Sequence, residues 1–67
     1  MKPMTARQVE DILRRNGFSL VKVEGSHFKW RNAAGRSVPV PHHGNATLPQ
    51  GTLGSIFRLA GITPPAK

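Results

Sequence analysis

The fold is decided by the stretch Leu20-Val21-Lys22-Val23-Glu24-Gly25-Ser26-His27-Phe28-Lys29-Trp30-Arg31, where apolar and charged residues alternate on both sides of a Gly-Ser pair. A period of two marks strands that bury one face, and a two-residue loop opening on glycine suits a type II′ hairpin turn. That register puts Val23 opposite Phe28 and Val21 opposite Trp30, giving one apolar face. The other face carries His27, Lys29 and Arg31 in a row, with Glu24 across from His27.

Toward the C-terminus, Asn32-Ala33-Ala34-Gly35 reads as a second turn into a third strand near Ser37–Pro41, with Val38 and Val40 inward. Pro39 and Pro41 lack an N–H on the same side, so this strand belongs at the rim of the sheet with its blank edge outward. Toward the N-terminus, residues 5–16 read as a helix. Thr5 and Gln8 have capping-box spacing, and Met4 with Val9 forms a hydrophobic staple. Val9, Ile12 and Leu13 supply an apolar stripe, while Glu10 and Asp11 early and Arg14 and Arg15 late suit the helix dipole. Gly17 and Phe18 supply a C-terminal stop. Leu53, Ile56, Phe57 and Ala60 repeat the pattern, stopped by Gly61 and Ile62, with Pro49 suited to the first turn. His42 to Gln50 is a polar connection. The expected fold is α+β: a two-layer α-β-β-β-α domain over residues 1–62, with both helices on one face of a three-stranded antiparallel sheet. Residues 63–67, Thr-Pro-Pro-Ala-Lys, are an expected flexible tail.

Composition narrows the function. Sixty-seven residues give one domain with a thin core. Ten Lys and Arg face only Glu10, Asp11 and Glu24, a net charge of +7, which calls for a polyanionic partner: nucleic acid, an acidic protein, or both in turn. The cations are scattered and not gathered on one amphipathic helix, which argues against a membrane surface. No cysteine is present, no apolar run nears the ~20 residues of a membrane span, and Met1–Thr5 leads into a charged segment unlike a secretion signal. The expected location is the cytoplasm.

The chemistry follows by elimination. Metal-dependent nucleases need several carboxylates, and Glu10 and Asp11, adjacent on a helix, point about 100° apart. Zinc would need three or four ligands, and only three histidines are on offer, with His42 and His43 adjacent. No metal and no small-molecule cofactor is expected. Acid–base work by histidine remains, since its imidazole titrates nearest neutral pH. RNA carries its own nucleophile, the 2′-hydroxyl, so a base need only take that proton while cations steady the phosphate. Lys29 and Arg31, on the face of His27, are placed for this. Composition and spacing alone nevertheless favour His27 as an ordinary exposed residue after a turn. They leave His42 and His43 as loop residues that touch phosphate at most, and assign Trp30 to the core before base stacking.

The motifs carry a resemblance. Asn16-Gly17-Phe18, Gly25-Ser26-His27, Val40-Pro41-His42-His43-Gly44-Asn45, Leu48-Pro49-Gln50-Gly51-Thr52-Leu53, Ser55-Ile56 and Ala60-Gly61-Ile62, in this order, resemble the HicA family, the toxin half of HicA–HicB toxin–antitoxin pairs. The resemblance covers roughly Thr5 to Ile62. It implies a fold like the double-stranded RNA-binding domain and a ribosome-independent mRNA interferase. The family's catalytic histidine, in Gly-Ser-His, falls on His27, and its second histidine falls on His43, an RNA contact or structural residue. The implied partners are mRNA and a HicB-type antitoxin. The expected site is thus catalytic His27 with Ser26, Lys22, Lys29, Arg31 and His43 on RNA. Glu24, which favours a protonated His27, and Gly54 stand where relatives often carry cations. Two other readings stay open: a non-catalytic duplex-RNA module, against which stands the lysine-free Leu48–Gly54, and a decayed toxin that only binds its antitoxin.

Overall fold

The computed structural model describes residues 2–65, in the order α1 (Ala6–Arg15), β1 (Ser19–Glu24), β2 (His27–Arg31), β3 (Ser37–Pro41) and α2 (Gln50–Ala60). The expected α+β architecture is present: one antiparallel sheet ordered β1-β2-β3, with both helices on the face that carries Trp30, Val38 and Val40. Residues 63–65 run on without regular structure, and Ala66 and Lys67 of the expected tail lie outside the described residues.

Local chemistry explains the helix limits. Thr5 N–H donates to Gln8 Oε1 at 2.8 Å and Gln8 N–H to Thr5 Oγ1 at 3.3 Å, a complete capping box. At the other end Phe18 N–H reaches Leu13 O and Gly17 N–H reaches Arg14 O, with Gly17 at φ +87°. This is a Schellman ending. Helix α2 closes the same way, Ile62 N–H on Phe57 O and Gly61 N–H on Arg58 O. Pro49 stands one place earlier than expected, as the residue before the helix.

The hairpin turns at Gly25-Ser26, with Gly25 at φ +58°. Val23 faces Phe28 and Glu24 faces His27 as expected, but Leu20, not Val21, stands opposite Trp30. A β-bulge between Leu20 and Lys22 is the cause. It inserts one residue and shifts the alternation beyond it. The expected apolar face of β1 is also corrected. Leu20, Val21 and Val23 are 44%, 57% and 51% exposed, because the helices pack over β3 and reach β1 little.

Burial falls off across the sheet, from Val38 and Val40 through Trp30 to β1, every residue of which is exposed. The prolines of β3 take the expected rim. His42 N–H donates to Ser26 O and Asn32 N–H to Arg36 O, so the hydrogen-bonded pairs are those in phase with Phe28–Val40 and Trp30–Val38. Pro39 and Pro41 fall between them and turn their blank nitrogens outward.

The 42–49 connection is tied at both ends. Leu48 is buried and its N–H donates to Met4 O at 2.8 Å, beside a Thr5–Thr47 bridge. His42 stacks on Phe28 with ring centroids 3.9 Å apart.

Candidate nucleic-acid interface on the outer sheet face

The face of the sheet away from the helices is built by the period-two pattern. Strand β2 projects His27, Lys29 and Arg31 there, and β1 adds Glu24 opposite His27 and Lys22 opposite Lys29. Strand β3 contributes Pro41 beside His27, Pro39 beside Lys29 and Ser37 beside Arg31. The His27 ring is exposed and lies outside the apolar layer.

Glu24 organises this face. Lys29 Nζ lies 2.8 Å from one of its oxygens and Lys22 Nζ 3.3 Å from the other. These two hydrogen bonds, that of Lys29 first, hold the Glu24 carboxyl below its ordinary value; attraction to Lys29 and, more weakly, to His27 acts in the same direction. Both oxygens are thus turned to lysines, and among the described residues no ion pair joins Glu24 to the His27 ring. The trio keeps one net positive charge. Arg31 donates through Nε to Ser37 Oγ at 3.3 Å, and among the described residues it faces no carboxylate.

Two shallow grooves share Pro39. One is bordered by Val21, Lys22, Lys29, Arg31, Ser37 and Pro39. The other lies between the sheet, at His27, Pro39 and Pro41, and α2, at Thr52, Ser55 and Leu59. His27 borders the second groove and not the first, two residues along β2 from Lys29 of the cationic one. Of the expected contacts, the structure gathers Lys22, Lys29 and Arg31 along the first groove. Ser26 is exposed in the turn directly before His27, with its carbonyl accepting from His42 N–H at 2.7 Å. His43 is exposed on the loop after β3 and borders neither groove.

The interior holds a polar cluster that sequence reasoning missed. Glu10, 7% exposed, accepts a hydrogen bond from Trp30 Nε1 at 2.8 Å. Its other oxygen lies 2.8 Å from His42 Nε2. The imidazole N–H direction is poorly aligned on that oxygen, so this contact is electrostatic proximity and not a directed hydrogen bond. Glu10 therefore serves the core and not, as its position in the sequence suggested, the helix dipole. Trp30, 3% exposed, is a core residue with Arg14 over its ring at 5.2 Å, and is closed to base stacking. Between the two adjacent histidines, His42 has the structural contacts and His43 the solvent. The only sequence signal for this was Trp30 itself, whose indole N–H needs an acceptor when buried.

Among the described residues no three of His, Cys, Asp or Glu are grouped to hold a metal ion, and no helix is long and apolar enough to cross a membrane.

These features define a class: a small basic α+β protein that presents a histidine on a cationic sheet face. The family model described as HicA toxin of bacterial toxin-antitoxin matches residues 6–62, and the chain belongs to that family. Membership makes it the toxin of a toxin–antitoxin system and implies an antitoxin partner. A comparison with curated proteins returned no match.

Proposed function

We propose that this toxin is a metal-independent RNA endonuclease, a ribosome-independent mRNA interferase of the cytoplasm, with His27 as its catalytic residue and a HicB-type antitoxin as its partner. The observation that carries the reading is His27, exposed on the rim of the neutral cleft and two residues along its strand from Lys29 of the cationic groove. A ring buried under the helices would have left no room for a nucleotide.

In this mechanism the 2′-oxygen of the bound ribose attacks the adjacent phosphorus while His27 handles a proton. The new P–O2′ bond forms as the P–O5′ bond breaks, the 2′-hydroxyl proton leaves to a base, and a proton is returned to the 5′-oxygen. The products are a 2′,3′-cyclic phosphate and a free 5′-hydroxyl. Lys29 and Arg31 stabilise the charge that grows on the phosphate. Lys29 is held in place by Glu24, whereas Arg31 offers a guanidinium with donors to spare. Lys22 extends the track, and Ser26 and His43 contact RNA at its margins.

The test compares the protein with His27→Ala on purified RNA, chelator present throughout. The expected result is cleavage by the parent, at least 100-fold slower cleavage by the variant, the scale of one general acid–base catalyst, and 2′,3′-cyclic ends. Equal cutting by the variant, or loss of cutting with chelator, refutes the mechanism.

A further inference from the structure

We infer that the cleft between His27 and α2 is a nucleobase pocket, which seats one unpaired base of an RNA strand next to the bond that is cut. This deepens the reading of His27 given above and rests on it.

The two grooves share Pro39, only the second is bordered by His27, and they differ in chemistry. The cationic one is bordered by Lys22, Lys29 and Arg31. In the other, His27 is the sole titratable residue among the described residues, and its walls are proline rings, aliphatic carbon and two hydroxyls. A phosphate gains nothing there, whereas a base presents a flat apolar face and a hydrogen-bonding edge. Pro39 and Pro41 offer ring faces on the strand side, and Leu59 offers an aliphatic side chain on the helix side. Leu59 is 48% exposed on a helix whose other large apolar residues are buried, and a base laid against it explains that position. Thr52 and Ser55, three apart on α2, stand on one side of the helix and both border the cleft. Among the described residues no hydrogen bond engages either hydroxyl, so both are free to donate to or accept from a base edge. The space is open: a side-chain carbon built at Gly51, on the rim, meets nothing within 4 Å.

The division of labour follows. Phosphates lie along Lys22, Lys29 and Arg31, and the base turns into the cleft, with His27 between them. Reading a base edge requires that it be unpaired, since sequence-specific RNA recognition works on splayed bases and not on the A-form helix.

The experiment uses short single-stranded RNAs with 2′-O-methyl at the scissile ribose, so that binding is read without cleavage. The four bases are varied in turn at the nucleotides flanking the cut, and fluorescence anisotropy gives Kd. The parent is expected to prefer one base at one flanking position. Thr52→Val and Ser55→Ala should each flatten that preference by roughly three- to tenfold, the worth of one ordinary hydrogen bond, while the poorest base binds as before. Gly51→Leu, which favours the helix but fills the rim, should weaken every base alike. Circular dichroism checks that each variant folds. An unchanged base profile in both hydroxyl variants, or unhindered binding by Gly51→Leu, overturns the pocket. So does a result in which these variants bind RNA as the parent does but escape neutralisation by the antitoxin, which would make the cleft a protein-docking surface. Failure of His27→Ala to slow cleavage strikes the catalytic reading instead, because the binding profile is measured on RNA that no variant cuts.

Discussion

Replacing Glu10 by alanine probes the polar cluster that joins α1, β2 and the loop after β3. The carboxylate accepts from Trp30 Nε1 at 2.8 Å and lies 2.8 Å from His42 Nε2. Without it the indole N–H, on a residue 3% exposed, has no acceptor, which costs about 1–3 kcal/mol. Loss of one buried methylene, Cγ, adds about 0.8 kcal/mol. The His42 side chain is 22% exposed and regains water on one side, so its share is small. The combined loss is about 2–4 kcal/mol, a large part of the ~3–10 kcal/mol expected for a chain of this length. The corresponding fall in Tm is on the order of 20 °C. Trp30 is the single tryptophan, so urea unfolding followed by its fluorescence reads both the midpoint and the local environment. Glu10→Gln keeps a carbonyl oxygen for the indole and should lose less than half as much. A loss below about 1 kcal/mol in Glu10→Ala would refute the argument, because the indole N–H would then have found another partner or water.

Glu24 gives a pH-dependent prediction. Its carboxyl is held below the ordinary 4.5 by Lys29 and Lys22, so the stabilisation is present above that value and is lost as pH falls through the depressed one. Glu24→Gln should therefore be less stable than the parent at pH 7 and match it at the acid end of a pH series of thermal melts; a difference that persists at the acid end would contradict this. Gly61 gives another. It sits at φ +70°, where a Cβ would lie 2.9 Å from Arg36 Cζ, and Arg36 Nη1 donates to Leu59 O at 3.0 Å. Gly61→Ala should cost about 1–2 kcal/mol from the left-handed backbone alone, and more while Arg36 is present. Chemical denaturation of the double variant with Arg36→Ala measures the difference, and identical costs in both backgrounds would disprove the clash.

Where local chemistry alone decides structure, the residues were readable. Thr5 with Gln8, and Gly17 with Phe18, make their bonds within one helix turn, and the Gly25-Ser26 hairpin needs no partner beyond its own strands. The proline rim of β3 was equally plain, since a missing N–H is a property of the residue. The bulge at Val21 was not, because an alternating stretch without a glycine gives no sign of an inserted residue. Nor was the exposure of Leu20, Val21 and Val23, which depends on how far two helices extend over three strands. The Glu10–Trp30 bond spans twenty positions, and acidic residues early in a helix have an adequate explanation in the dipole. On the site, the row His27, Lys29, Arg31 was visible as a period of two. The cleft that His27 shares with α2 was not, because it is created by packing α2 over β3.

The two edges of this sheet are not equivalent. Strand β3 turns outward carbonyl oxygens and, apart from that of Ser37, no N–H, because Pro39 and Pro41 have none to give. A neighbouring strand laid there would find acceptors without donors, while β1 retains both. Lateral growth is therefore one-sided. Two copies joined β1 to β1 present only proline rims at the ends of a six-stranded sheet, so such an assembly terminates at a pair and has no route to a fibre.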